Sequence, residues 1–154
     1  MQKITTQETT MTGNKLNTTN AQNAQAAQFV HLHLHTEYSL LDSTVKIDNL
    51  AKALHAKGMN AAAITDHGNM FGAIDFYKTM RSNGIKPIIG LEAYIHNYPG
   101  IGTKEDLTDP FRQRFHLCLL AKNEQGYKNL MRLSSESYLH GFYYYPRFLK
   151  ATRS

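Results

Sequence analysis

A chain of 154 residues is long enough for one domain with a real core and too short for two comfortable ones. Its formal charge of +5 and pI near 9.3 permit an anionic partner without identifying one, and no apolar run approaches membrane-spanning length. The one cysteine, Cys118, excludes an internal disulfide and suits a reducing compartment such as the cytoplasm.

Met1 to Gln28 is dominated by Gln, Thr, Asn and Ala, too polar to offset its ordering entropy, and reads as a disordered extension. It has neither the apolar centre of a signal peptide nor the arginines of a transit peptide. Phe29 to His35 reads as a short strand. Alternation then sets His31, His33 and His35 on one face, with Leu32 and Leu34 on the other. Same-face neighbours lie roughly 6.5 Å apart, which suits imidazoles converging on one metal or flanking two. One histidine on an apolar face reads as a core residue. Three on one face, followed by Thr36-Glu37-Tyr38-Ser39 and Asp42, read as a metal site.

Thr44 to Lys57 carries Ile47, Leu50, Ala51 and Leu54 at helical spacing, with Ser43 or Thr44 as N-cap and Gly58 as a stop. Asn60 to Thr65 is a small apolar strand running into Asp66-His67-Gly68-Asn69, a sequence that suits a turn as well as a ligand. A second helix covers Gly72 to Asn83, presents Ile74, Tyr77 and Met80, and ends at Gly84. Pro87 to Ile95 is a strand with Ile88, Gly90, Glu92 and Tyr94 on one face and Ile89, Leu91, Ala93 and Ile95 on the other. After a polar loop over Asn97 to Arg114, the strand Phe115 to Ala121 places His116, Cys118 and Leu120 together. A last helix runs from Glu124 to His140.

Repeated βα units imply an α/β fold of parallel strands with right-handed crossovers and outer helices. Chemistry in such folds sits at the carboxyl ends of the strands. His33, His35 and His67 obey that rule, whereas Glu92 lies mid-strand and His116 near a strand start. Glu92 is the most telling residue, because a carboxylate between Leu91 and Ala93 needs a cation or several hydrogen bonds to offset desolvation. Cys118, in the apolar run Leu117 to Leu120, reads as buried packing. The set His33, His35, Asp42, His67, Glu92 and His116 mixes imidazole and carboxylate without thiolate and suits zinc, manganese or iron in a hydrolytic site. A carboxylate can bridge two ions about 3.5–4 Å apart that clamp a phosphate and activate water, so phosphoester hydrolysis is the natural reaction class. Asp42 and Glu92 are the candidate catalytic groups.

His33-Leu34-His35-Thr36 and Thr65-Asp66-His67-Gly68 resemble the first two motifs of the PHP (polymerase and histidinol phosphatase) superfamily. Longer stretches narrow the resemblance: His35 to Asp42 (HTEYSLLD), Ile64 to Tyr77 (ITDHGNMFGAIDFY), Gly84 to Tyr94 (GIKPIIGLEAY) and Gly141 to Arg147 (GFYYYPR). These are similar to the amino-terminal PHP domain of bacterial DNA polymerase III alpha subunits. The resemblance implies part of a distorted (β/α)7 barrel holding up to three divalent ions, zinc or manganese. Its ligand positions fall on His33, His35, Asp42, His67, Glu92 and His116, while His31 precedes the His-x-His pair and is a same-face neighbour. Some alpha subunits have lost these ligands, and this chain keeps them. The implied activity is metal-dependent 3′–5′ exonuclease, or support of the polymerase fold. The implied partners are DNA through the parent polymerase, the remainder of the alpha subunit, the proofreading exonuclease subunit and the sliding clamp, with no membrane.

Three departures qualify the resemblance. Ser43 stands where the family usually has glycine, Met1 to Gln28 exceeds the usual short start, and Phe148 to Ser154 (FLKATRS) does not continue the pattern. The expected organisation is therefore an extension over 1–28, the first portion of a PHP domain over 29–147, and a divergent tail over 148–154. The later motifs, an Asp-x-His ligand pair among them, do not occur, so the expectation is a fragment of a longer polymerase that cannot polymerise DNA alone. The competing readings are a free-standing phosphoesterase of the histidinol-phosphatase kind and a non-catalytic scaffold docking the proofreading subunit.

Overall fold

Alanine is a weak strand former, so burial and pairing rather than propensity make Ala61–Ile64 a strand, β1, buried along its whole length. The structure is a computed structural model that describes residues 29–96 and 115–149. Two ten-residue helices flank β1 in sequence, α1 (Ile47–Ala56) and α2 (Ala73–Ser82). Each buries one stripe: Ile47, Ala51 and Leu54 from α1, and Ala73, Phe76 and Met80 from α2, the i, i+3/i+4, i+7 spacing of an amphipathic helix. Gly58 and Gly84 follow the two helices with φ of 66° and 70°, the left-handed conformation that ends a helix at least cost in glycine.

Strand β2 (Lys86–His96) lies parallel to β1, with Ala61 opposite Lys86 and Ile64 opposite Ile89, so β1–α2–β2 is a βαβ unit. The core gathers Ile47, Ala51, Leu54, Ala62, Ile64, Phe76, Met80 and Ile85, with Tyr38, Leu50, Met59 and Ile89 packed against it. This occupies one face of the β1–β2 pair. Alternation leaves Gly90, Glu92 and Tyr94 to the other face, where the site is built.

The five strands among the described residues form one mixed sheet, in which β2 also pairs with β3 (Phe115–Leu120) and β5 (Tyr145–Leu149). The α/β class with parallel β1–β2 and β2–β5 pairing stands, but β3 departs from the all-parallel expectation and runs antiparallel to β2. It starts beside the end of β2, with Phe115 opposite Ile95 and Leu120 opposite Gly90. Gly90 admits this approach: a Cβ there would lie 2.7 Å from the Leu119 carbonyl oxygen and 2.9 Å from Thr65 Cγ2.

The structure corrects two further expectations and adds a hairpin. Phe29 to His35 is not a regular strand. It contributes an isolated bridge, His31 to Ala62, and backbone bonds from Ala63 N to His31 O and Thr65 N to Leu34 O. The N-cap of α1 is Lys46, without a side-chain bond, because the Ser43 hydroxyl donates to His35 O and accepts from Val45 N instead. The aromatic run after helix α3 (Glu124–His140) is a tight hairpin of β4 (Phe142–Tyr143) and β5, turning at Tyr144 with φ 59°. Phe148 and Leu149 lie in β5 and pair with Ile95 and His96. The expectations for 1–28, 97–114 and 150–154 lie outside the described residues. No helix among the described residues is long and apolar enough to cross a membrane.

Candidate metal centre

Two chain segments deliver His33, His35 and His67 to β2, and β3 delivers His116. The stretch through Leu34 is tied to the end of β1 by Thr65, whose amide donates to Leu34 O and whose hydroxyl accepts from Leu34 N at 2.8 Å. That fixes His33 and His35 on either side of the anchor. His67 follows β1, held by Glu92 N donating to Asp66 O and Gly68 N donating to Glu92 O at 2.8 Å. Gly68 has φ 64°, and a Cβ there would strike Pro146 and Tyr94. The ladder therefore brings the Asp66–Gly68 turn directly beside Glu92.

The Glu92 side chain is only 3 % exposed and is met by imidazoles from both edges. His33 Nε2 is 2.8 Å, His35 Nε2 3.0 Å and His67 Nδ1 3.4 Å from Oε2, while His116 Nδ1 is 2.7 Å from Oε1. The His35 and His67 rings stack at 4.0 Å between centroids, and Tyr94 meets His116 edge-on at 4.9 Å. Asp42 stands at the exposed rim, its Oδ2 3.8 Å from His67 Nε2. All six residues named from the sequence converge, five in close contact and Asp42 at the edge. His31 points elsewhere, its ring against Phe29. The placement of His116 near a strand start is explained by the antiparallel course of β3, which sets that start beside Tyr94.

A buried carboxyl group beneath the rim positions this loop. Asp66, which sequence reading left between turn and ligand, accepts from Thr36 N at 2.6 Å, Thr36 Oγ1 at 2.8 Å and Ser39 Oγ at 2.7 Å. Ser39 Oγ in turn accepts from His67 N at 3.0 Å. The segment carrying His35 and Asp42 is thereby clamped to the turn carrying His67. Nothing in the residue types distinguishes Asp66 as this hub, since Asp-His-Gly reads equally as a turn.

Electrostatics favour the neutral form of His35 beside an ionised Glu92 carboxylate. Burial works to raise the Glu92 carboxyl, but the His33 hydrogen bond and the charges of His67 and His35 outweigh it and hold it below its usual 4.5. Burial, then neighbouring His67, lowers His35 below 6.5 against the opposing pull of Glu92. Both shifts act in one direction on stability. The unfolded chain takes the His35 proton first, so stability is intact above about pH 6.5 and falls as pH drops toward the folded value. The Glu92 contribution holds above 4.5 and is lost as pH falls through its lower folded value. In chelator, the Tm is expected to decline in two stages on acidification, with His35→Asn removing the first. A Tm that stays level from about pH 7.5 to about pH 5.5 contradicts this.

The donors fit a divalent ion. The ligand atoms of His35, His67 and Glu92 lie within 4.8 Å of one another, and His67 Nδ1 is buried without a hydrogen-bond partner, a costly state that a cation would relieve. The sequence reading missed one donor. Cys118 lies opposite Glu92 in the β2–β3 register, and its sulfur is within 4.8 Å of donor atoms of both His33 and Glu92. Burial, then the Glu92 charge, pushes its thiol up, with Thr65 pulling the other way. The signal was present in the shared face of His116 and Cys118, but without the partner strand an apolar neighbourhood reads as packing.

The model of the PHP domain family matches residues 31–153. The chain belongs to the PHP domain family. Curated relatives are DNA polymerase III alpha subunits. That of Campylobacter jejuni is 61 % identical over 124 residues, covering 80 % of this chain and 10 % of the relative. That of Helicobacter pylori strain J99 is 62 % identical over 122 residues, covering 79 % and 10 %. The Aquifex aeolicus subunit is 48 % identical over 124 residues, covering 77 % and 10 %. This PHP domain is homologous to their amino-terminal region and spans about a tenth of their length. Among solved structures, an amidohydrolase from Chromobacterium violaceum is similar at 17 % identity and a TM-score of 0.45, covering 70 % of this chain and 34 % of that one.

Proposed function

We propose that this PHP domain is a divalent-metal centre of the phosphoesterase type, belonging to a replicative DNA polymerase III alpha subunit whose whole function is DNA-templated DNA synthesis in the cytoplasm. The observation that carries the reading is one buried carboxylate met by four imidazoles from three segments, His33 and His35, His67, and His116. An apolar interior has no use for such a set, and a purely structural role would be filled more cheaply by packed side chains. His33, His35, Asp42, His67, Glu92 and His116 are the ligands in this reading, with zinc or manganese as the ions. When bound, such ions lower the pKa of water and offset charge on a phosphate.

The chain's own residues divide the remaining work. Glu92 offers an oxygen to each side, Oε2 toward His33, His35 and His67 and Oε1 toward His116, so its carboxylate would be shared by the donors on both flanks if ions were bound. Asp42, at the open rim beside His67, is placed to accept a proton from an incoming water. The substrate that matches the homology is a 3′ end of DNA, cleaved as a 3′–5′ exonuclease. The partners in this reading are DNA, the rest of the alpha subunit, the proofreading subunit and the sliding clamp. In this reading the domain proper spans 29–147, with 1–28 as an extension and 148–154 as a tail divergent in sequence, whose first two residues complete β5.

Elemental analysis of tag-free protein tests the centre. At least one equivalent of zinc or manganese is expected, lost in a His33→Ala/His35→Ala variant. Less than about a tenth of an equivalent, unchanged in the variant, overturns the reading. Release of nucleotides from single-stranded DNA should be slow in this chain and should depend on added metal and Asp42.

A further inference from the structure

The donors around Glu92 divide into two groups that share its carboxylate. One is His35, His67 and Glu92, and the other is His33, Glu92 and Cys118, with the ligand atoms of each group within 4.8 Å of one another. We propose that Cys118 is a metal ligand, which makes one of the two positions on Glu92 a mixed imidazole–carboxylate–thiolate site that selects zinc over manganese. The proposal rests on the metal-centre reading above and deepens it by distinguishing the two positions.

Register places the sulfur. Glu92 and Cys118 are opposite each other in the antiparallel pair β2–β3, and opposed side chains share one face with Cβ atoms about 4.5–5.5 Å apart. Gly90, two residues before Glu92 on the same face, lets β3 close on β2 there. His116, two residues before Cys118, uses that same face to reach Glu92 Oε1 at 2.7 Å, so this side of β3 already addresses the centre. The cysteine is only partly buried, and His33 beside it is 58 % exposed, which leaves an approach for an ion. A packing cysteine would face apolar side chains. This one faces a buried carboxylate.

Chemistry then separates the positions. In the bound form a sulfur–metal bond replaces the S–H bond, and the proton leaves to solvent without any change of oxidation state. Thiolate ligation strongly favours zinc, whereas carboxylate and imidazole alone discriminate less and admit manganese when it is in excess. The His33–Glu92–Cys118 position should therefore hold zinc against excess manganese, and the His35–His67–Glu92 position should exchange.

Cobalt(II) substituted into the 154-residue chain tests this, because thiolate ligation gives a strong near-ultraviolet charge-transfer absorption that nitrogen and oxygen ligands lack. The expected result is that absorption in the parent chain and its loss in Cys118→Ser, with the visible cobalt bands retained. Visible cobalt bands without the charge-transfer absorption overturn the thiolate ligand and leave the metal centre standing. Absence of any cobalt bands, with no metal retained, overturns both. A second measurement does not depend on the variant folding. Zinc should slow alkylation of Cys118 by roughly tenfold in the parent chain, and this protection should vanish in His33→Ala and persist in His67→Ala. Equal labelling with and without zinc overturns the proposal.

Discussion

Glu92→Gln is expected to abolish high-affinity metal binding while leaving the chain folded. The amide keeps the volume and one acceptor oxygen but removes the negative charge that offsets a divalent ion, and it presents an NH2 group toward one of the flanking imidazoles. Because Glu92 touches His33, His35 and His67 through Oε2 and His116 through Oε1, every position in the centre loses the same ligand. Loss of an outer partner alone costs 10–100-fold in metal affinity, so a fall of roughly a hundredfold or more is expected here. His116→Ala removes one imidazole from one side and should cost less, about tenfold. Calorimetric titration with zinc checks both, with far-ultraviolet circular dichroism to show that the variants fold. Glu92→Gln binding within about threefold of the parent would show that the carboxylate is a hydrogen-bond acceptor for the histidines and not the centre of a metal site.

The ease with which this site could be read from the sequence has a physical basis. Alternation on β2 places Glu92 away from the Ile89, Leu91 and Ala93 face whatever the partner strands do, and an ionisable group at such a position is costly unless it is served. The His33/His35 pair was legible for the same reason, although the segment proved to be a bridged, irregular stretch rather than a strand. Two βα features also follow local rules: the apolar stripes of α1 and α2, and the glycines Gly58 and Gly84 that end them. What failed depended on partners far away in sequence. The direction of β3 is set by which end of β2 it meets, and nothing within Phe115–Leu120 encodes that. Reading β3 as parallel hid the opposition of Cys118 to Glu92. The β4–β5 hairpin turns at Tyr144, a non-glycine residue at positive φ, so the usual turn signal is missing from Tyr143-Tyr144-Tyr145. The N-cap of α1 was misassigned because Ser43 spends its hydroxyl on the His35 carbonyl, a contact that serves the site rather than the helix.

The second large effect is expected away from the ligands, in Asp66→Ala. Asp66, Thr36 and Ser39 are all essentially buried, and the carboxylate is the acceptor for Thr36 N, Thr36 Oγ1 and Ser39 Oγ. Alanine strands these donors where water does not reach them, and each unsatisfied buried group costs about 1–3 kcal/mol, so a loss of about 3–5 kcal/mol is expected. Total stabilities of about 5–15 kcal/mol make that a large fraction, enough to leave the variant near unfolding. Asp66→Asn should cost about 1–2 kcal/mol, since its oxygen still accepts and its NH2 can donate to the Thr36 hydroxyl. The two variants also separate clamp from ligand. Asp66 acts on the centre through Ser39, holding the segment bearing His35 and Asp42 against the turn bearing His67. Metal affinity should therefore follow stability, nearly intact in Asp66→Asn and weakened in Asp66→Ala. Urea unfolding in chelator, paired with zinc titration, reads both quantities. A loss of less than about 1 kcal/mol in Asp66→Ala would mean that the loop is held by its backbone bonds, Ser39 N to Thr36 O and Glu37 N to Val45 O, and not by the buried carboxylate.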